Sequence, residues 1–422
     1  MRADEARDLG RLGGVTLAGG TRRVAEVHSG ISGRVFRLVG PVGAPVRVLH
    51  DGISAGVYAG VRTGLYAAAR AAGTVQAVRA DGEPLDRRPR ARVALAVLNG
   101  AHGDTLQRVA PSLALPMTVR LAGADVALDR KALREAYPEA RPTVVVLLHG
   151  LTEDESAWCY RSEQHHGRRG VTFGGLLERD LGCTSVFVRY NTGLHISDNG
   201  RSLDDLLQRL VDTWPVEVRD LVLVGHSMGG LVARSALHQA HGGLDDARPW
   251  TRLVRDTVTL GSPHLGAPLE RAVHRLAGVL RRVPETRAIA SLLSLRSVGI
   301  KDLRHGTLVE LDWAGRDLDA AERGPRTHVP LLDGARHFVV LATLTRDPDA
   351  PIANVIGDLL VPPRSAIGDG PDGERLGFPA DHVHRLGGLH HFHLLSHPAV
   401  YEQLRRWLCD RPAPSDDDAA VR

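Results

Sequence analysis

The sequence predicts an α/β fold, a mostly parallel sheet with helices on both faces, preceded by a helical N-terminal region. Three observations carry this. From Met117 onward, β-branched apolar runs alternate with segments of helical spacing. The run from Leu221 to Val224 breaks at Gly225-His226-Ser227-Met228-Gly229 and resumes with helical spacing, which reads as a buried strand, a tight turn and a helix. Before residue 115 no stretch shows strand alternation, whereas Val57, Tyr58, Val61, Leu65 and Tyr66 recur at helical spacing.

Composition bounds the function classes. A chain of 422 residues with 43% hydrophobic and 24% charged content can bury a large core and suggests two units. The net charge is only +4. The basic cluster Arg87, Arg88, Arg90 and Arg92 is interrupted by prolines beside Asp86, so it reads as a solvated linker and argues against a nucleic-acid partner. Cys159, Cys183 and Cys409 are too widely spread for a disulfide framework or a C-x-x-C motif, which makes a reducing compartment the default. Charged Arg2, Asp4, Glu5 and Arg7 follow Met1 where an export signal would be apolar, and Arg22-Arg23 precedes no apolar core. No uncharged apolar run approaches the roughly 18 residues that span a bilayer. The expectation is a cytoplasmic protein, with peripheral membrane contact left open.

Residues 1–115 form the expected helical region. Within it Gly52, Gly56, Gly60 and Gly64 recur every fourth residue, a smooth ridge that anticipates close packing against another backbone. Arg62 and Arg70 exclude a membrane-embedded reading of that ridge. Asp81 to Arg92 reads as a linker, and Val93 to Leu98 as a second apolar stretch. The second region, 116–409, opens with a hairpin from Thr118 to Leu128 around Gly123. Strands are expected at Thr143–Leu148, Cys183–Tyr190, Leu221–Val224, Val254–Leu260 and His337–Leu344, with helices at Gly170–Leu181, Leu203–Val211 and Pro398–Leu408. Residues 410–422, with Asp416, Asp417 and Asp418 among prolines, read as a disordered acidic tail.

A serine between glycines at a strand-to-helix turn is the arrangement a nucleophile requires, because only glycines let the flanking backbones pass so closely. Ser227 is therefore the candidate nucleophile, and the NH of Met228 opens the following helix where an oxyanion would be favoured. Loops at the carboxyl ends of the other strands should converge on it. After the Thr143–Leu148 strand come His149-Gly150-Leu151, where the glycine lets the NH of Leu151 supply a second oxyanion donor. His149, Gly150 and His226 are expected to line the substrate site, although His226, like His195 and His264, also reads as structural.

The serine needs a base, and the base needs an acid. Among 21 histidines, the stretch Gly387 to Pro398 sits after a last strand and before the last helix, offering His390, His391, His393 and His397. His391 is taken as the base with His390 as the alternative, and His397 as a helix-start residue. A metal cluster from His390, His391 and His393 lacks any supporting carboxylate or cysteine spacing. The acid comes from Asp347, Asp349, Asp358, Asp369 or Asp372; Asp358 lies in an apolar turn from Val355 to Pro362 that would fix its carboxylate, while Asp347 and Asp349 remain alternatives.

In the order Ser227…Asp358…His391, with His149-Gly150, the chain resembles an α/β-hydrolase. Gly261-Ser262-Pro263-His264-Leu265-Gly266-Ala267-Pro268 and Gly357-Asp358-Leu359-Leu360-Val361-Pro362 are similar to the triacylglycerol lipase and GPI inositol-deacylase-like branch, over about residues 117 to 409. The resemblance implies a cofactor-free, metal-free serine hydrolase of small-molecule or lipid esters, and the placing of Asp358 and His391 leans on it. An acyltransferase or peptidase on the same scaffold, or a non-catalytic scaffold, are the alternatives. The insertion 267–335 carries Leu269, Val273, Leu276 and Leu280, then Ile289, Leu292, Leu293 and Leu295. It reads equally as a lid over an acyl pocket, with Leu292 and Leu293 contacting substrate, and as helices of the core.

Overall fold

The computed structural model describes residues 1–39, 44–241, 247–267, 297–318, 326–370 and 375–410. The expected tail and the segment with Leu292 and Leu293 fall outside them. The chain divides into two compact units, one of Met1–Leu95 with Asp104–Ala114, the other of Ala96–Gly103 with Leu115–Arg422.

The first unit is built on two long helices, α1 (Ala3–Val39) and α2 (Ala44–Val78). They run antiparallel, and the close approach is not at the expected ridge. A Cβ built on Gly10 would lie 2.6 Å from the Ala69 carbonyl oxygen, and one on Gly73 would lie 2.8 Å from both the Ala6 oxygen and Gly10 Cα. Gly52, Gly56, Gly60 and Gly64 have nothing within 4 Å of that position, and Val57 and Val61 beside them are 57% and 48% exposed. The four-residue repeat identifies a smooth stripe on α2, but the side on which α1 packs is set by Gly73 and Tyr66. A third helix, α3 (Pro89–Val109), is kinked at His102. Pro89 suits its first turn, where a missing NH costs nothing.

The second unit is an eight-stranded sheet of β1 (Thr118–Leu121), β2 (Ala124–Val126), β3 (Thr143–Leu148), β4 (Thr184–Arg189), β5 (Asp220–His226), β6 (Val254–Leu260), β7 (Arg336–Thr343) and β8 (Val383–Gly387), in the order β2-β1-β4-β3-β5-β6-β7-β8. Strand β1 pairs antiparallel with β2 and β4, and every pairing from β4 to β8 is parallel. The helices are α4 (Arg130–Ala136), α5 (Ser162–His166), α6 (Phe173–Leu181), α7 (Ile196–Thr213), α8 (Met228–His241), α9 (Val298–His305), α10 (Ala353–Ile356), α11 (Pro363–Ala366) and α12 (Pro398–Cys409).

Because side chains alternate across a strand, the continuous apolar runs of β3 and β5 feed two cores at once. Val144, Val146, Leu148, Leu221 and Leu223 pack with α7 and α8 on one face. Val145, Leu147, Val222 and Val224 pack with α6 and α12 on the other. The sequence-based strands lie within a residue or two of the observed ones. Helix α7 differs more: it begins at Ile196, seven residues before the expected Leu203, across polar Asp198 and Asn199 and a glycine. Two tertiary contacts account for this. The Asp302 carboxylate accepts from the Ile196 NH at 2.8 Å, and Gly200 lets α7 lie against α8, a Cβ there meeting Ser235 Cβ at 2.7 Å. Among the described residues no helix is long and apolar enough to cross a membrane.

The α1–α2 contact makes a direct prediction. Gly73→Val forces a branched side chain into backbone and should destabilise the helical pair by about 1–3 kcal/mol. Gly56→Ala, on the open stripe, should stabilise it by about 0.5–1 kcal/mol. Denaturant melts of the two variants followed by helical circular dichroism distinguish these outcomes.

Candidate active site

Ser227 stands between β5 and α8 with φ of +52°, a left-handed backbone that a non-glycine residue adopts only under constraint. The constraint is visible on both sides. A Cβ on Gly225 would lie 2.5 Å from Gly230 Cα, and one on Gly229 would lie 2.7 Å from the His149 carbonyl oxygen. The Ser227 NH donates to the Leu260 carbonyl at the end of β6, 2.9 Å away, so the turn is tied to the neighbouring strand. Its side chain is half-buried.

His391 reaches this turn from the loop after β8. Its ring centroid lies 4.7 Å from that of His226, and a Cβ built on Gly261, the residue after Leu260, would lie 3.1 Å from His391 Cε1 and Nδ1. His391 Nδ1 donates to Asp358 Oδ2 at 2.6 Å, and the His391 NH donates to the Asp358 carbonyl at 3.1 Å. Both residues are buried, 2% and 1% exposed. The other carboxylate oxygen of Asp358 accepts from the NH groups of Leu360 and Val361 at 3.0 and 2.8 Å. Those bonds require a tight turn, supplied by Gly357 at φ +56° and Leu359 at φ +87°. With Nδ1 committed as donor, Nε2 is left as the lone-pair nitrogen; it is buried without a hydrogen-bond partner among the described residues. Burial pulls the His391 pKa down, but the charge of Asp358, its hydrogen bond and the charge of Glu153 outweigh that and hold it above the ordinary histidine value.

The alternatives lie elsewhere. Asp347 and Asp349 are exposed and bond to one another's loop, Asp349 NH donating to Asp347 Oδ1 at 3.0 Å. Asp369 pairs with Arg375 at 3.0 Å, and Asp372 is outside the described residues. His390 stacks on His393 at 3.6 Å, and burial together with the charge of Arg161 pushes it down to about 4, too weak a base for neutral pH. His397 caps α12, its Nδ1 accepting from the Ala399 NH at 3.2 Å. His195 donates from Nδ1 to Asp302 at 2.9 Å and stacks on Trp313 at 3.7 Å.

The loop after β3 meets the same turn from the other side. A Cβ on Gly150 would lie 3.0 Å from Ser227 Cβ, so the chain passes against Ser227 where only glycine fits. Among the described residues the NH groups of Leu151 and Met228 donate to no recorded acceptor.

His149 and His226, expected to line the substrate site, are both buried and hydrogen-bonded within the fold. His149 is fully buried and stacks on Tyr190 at 4.5 Å; its Nδ1 donates to the Gly150 carbonyl at 2.9 Å, and its Nε2 accepts from the Tyr190 NH at 3.3 Å. Burial keeps its pKa below the ordinary value. His226 is also fully buried, with Nε2 3.4 Å from the His391 carbonyl oxygen and Nδ1 3.0 Å from Glu153 Oε2.

Glu153 is the residue that sequence reasoning missed. One of its oxygens lies 3.0 Å from His226 Nδ1 and accepts from the Gly150 NH at 2.6 Å, tying the turn at Gly150 to the end of β5. Burial raises the Glu153 pKa, but the charge and hydrogen bond of His226 and the Gly150 NH outweigh it, so the carboxyl stays below the ordinary glutamate value. The only sequence signal is an acid three residues past a glycine turn, which surface loops also show.

A parallel sheet with this strand order, a strained serine turn after β5, an acid turn after β7 and a histidine loop after β8 defines an α/β-hydrolase fold. Residues 189–327 match the family described as PGAP1-like alpha/beta domain. No curated protein matches the chain in sequence. Among solved structures the chain is similar to the mature lipase BlEst2 of Bacillus licheniformis, at 17% identity over 63% of this chain and 91% of that one, with a TM-score of 0.37. It is similar to lipase B of Aspergillus fumigatus, at 13% identity over 70% and 62% of the two chains (TM-score 0.39). A third is the esterase Pf2001 of Pyrococcus furiosus, at 17% identity over 64% and 83% (TM-score 0.34). The second unit thus has an α/β-hydrolase fold, and its residues 189–327 are similar to the PGAP1-like alpha/beta domain.

Because the negative charge of Glu153 helps hold the proton on His391, removing it should lower the His391 pKa. A general base works only when neutral, so activity rises with pH through that pKa. Glu153→Gln should therefore shift the acid limb of kcat/KM to lower pH while lowering kcat through the loosened Gly150 turn. An acid limb that stays in place or moves upward counts against this charge coupling.

Proposed function

We propose that this protein is a serine hydrolase that cleaves carboxylic esters of lipid-like substrates through an acyl-enzyme. The observation that carries the reading is the buried Asp358–His391 pair beside the strained Ser227 turn, with the His391 Nε2 lone pair uncommitted. His391 Nε2 takes the Ser227 proton as Oγ attacks the ester carbonyl. The resulting oxyanion is met by the NH groups of Met228 and Leu151, and Asp358 stabilises the imidazolium without itself taking the proton. The imidazolium then protonates the leaving alkoxide, giving alcohol and acyl-Ser227. Water, deprotonated by the same histidine, attacks the acyl-enzyme and releases the carboxylic acid and free serine. The lipid-like character rests on the PGAP1-like match and on the apolar insertion, whose Leu292 and Leu293 lie outside the described residues.

Ser227→Ala should abolish ester turnover and covalent labelling by a fluorophosphonate while the circular dichroism spectrum is unchanged; full labelling of that variant would falsify the nucleophile. Asp358→Asn keeps the shape but favours the wrong imidazole tautomer, and should lower kcat by on the order of 10⁴. Combining it with His391→Ala should add little to either single loss, because the three groups act as one unit. Steady-state rates with aryl esters of increasing acyl length report the substrate class, and a preference that does not move towards longer chains speaks against a lipid-like acyl group.

A further inference from the structure

The middle of α3, Ala96–Gly103, belongs to the same compact unit as the sheet, whereas the two ends of that helix do not. Its fit is made of backbone. Buried Asn99 accepts from the Leu115 NH through Oδ1 at 2.9 Å, and Ser297 Oγ donates to the Gly100 carbonyl at 2.6 Å. A Cβ built on Gly100 would lie 2.5 Å from Thr152 Cγ2 and 3.1 Å from Thr152 N and Cα. One on Gly103 would overlap the Asn191 side chain, whose Nδ2 donates to the Gly103 carbonyl at 3.1 Å. One on Gly193 would lie 2.6 Å from the Gly103 nitrogen. The segment thus seats directly on Thr152 and on the Asn191–Gly193 loop after β4.

Thr152 is the residue after Leu151. It holds φ at +64°, a conformation that a β-branched side chain tolerates only when its surroundings over-determine it. Among those surroundings are Gly100, against its side chain and backbone, and Thr192 Oγ1, which accepts from its NH at 3.1 Å. The peptide that precedes this strained residue leads to the Leu151 NH, and an oxyanion donor is worth most when its direction is fixed before the reaction.

We propose that Ala96–Gly103 is a positioning element of the hydrolase site, with Gly100 seating Thr152 in its left-handed conformation so that the Leu151 NH points at the developing oxyanion. This rests on the esterase reading above. Deleting everything before the first strand would then remove part of the catalytic apparatus along with the N-terminal helices.

The test uses full-length protein, a short-chain aryl ester and a fluorophosphonate. Gly100→Ala should lower kcat at least about tenfold, leave KM within about twofold, and slow phosphonylation in step, a partial form of the 10²–10³-fold loss that follows deletion of an oxyanion donor. Adding Thr152→Ser, which removes the clashing Cγ2, should restore most of kcat. Thr152→Gly keeps the fold independent of any clash, since glycine adopts positive φ freely. A purely structural role leaves its activity untouched, whereas the proposal requires kcat to fall about tenfold because nothing remains for Gly100 to seat. Folded Gly100→Ala or Thr152→Gly enzyme with wild-type kcat overturns the proposal. Wild-type protein that neither labels nor turns over ester overturns the esterase reading instead, so the two failures are distinct.

Discussion

The backbone passage around Ser227 is the constraint on which the rest of the second unit depends. Three polypeptide segments cross within van der Waals distance there: the turn itself, the end of β3 at Leu148-His149, and the start of α8 at Gly229-Gly230. Gly225, Gly229 and Gly230 have no room there for a Cβ. A Cβ on Gly229 would lie 2.8 Å from the Leu148 carbonyl carbon, and one on Gly230 would lie 2.9 Å from Thr259 Cγ2 on β6. The central order β3-β5-β6 is thus locked at its carboxyl end by the same contacts that strain the serine. A residue at φ +52° costs free energy on the order of 1–3 kcal/mol, and the parallel pairings of β5 with both neighbours are what offset it.

Around that passage the fold places two buried histidine–carboxylate pairs with different tasks. Asp358–His391 leaves a ring nitrogen uncommitted, so the pair can move a proton. Glu153–His226 has acceptors on both ring nitrogens and a backbone NH on the carboxylate, so it holds position. The two are joined through the His391 carbonyl, whose oxygen lies 3.4 Å from His226 Nε2. Buried charges persist only when paired and hydrogen-bonded. Each pair satisfies that condition with backbone NH groups from a turn held by glycine, Gly150 in one case and Gly357 in the other.

What the sequence made legible is what local pattern encodes. Continuous apolar runs marked β3 and β5, which are buried on both faces, β-rich stretches marked β4, β6 and β7 despite their polar residues, and the glycines flanking Ser227 marked a turn whose geometry is dictated one residue at a time. What it hid depends on residues far apart in the chain. The early start of α7 is set by Asp302, 106 positions away. The face on which α2 packs is set by Gly10 and Gly73, not by the more regular ridge. Glu153 looks like any loop acid until Gly150 and His226 are brought to it. A boundary drawn where helical spacing gives way to strand spacing also separates Ala96–Gly103, helical in pattern, from the compact unit it belongs to.

The histidine loop shows why spacing alone narrows the choice to a segment, while the choice of His391 within it leaned on a family resemblance. His390, His391, His393 and His397 are near neighbours on one loop and are all buried to some degree, so desolvation alone would push every one of them down. It does so for three. His393, packed against His390 and facing Arg161 and His165, falls to about 3, and His390 falls to about 4. His397 is lowered by burial and by His165 and His166. Only His391 turns inward, where Asp358 and Glu153 supply negative charge that exceeds the desolvation cost. Four identical side chains are therefore sorted by which way the loop turns, and that direction is fixed by two backbone groups, the His391 NH on the Asp358 carbonyl and the Leu389 NH on the Thr343 carbonyl at 2.9 Å. The inward-facing histidine is chosen by main-chain hydrogen bonds to the end of β7 and the turn after it, contacts that leave no trace in the spacing of the histidines themselves.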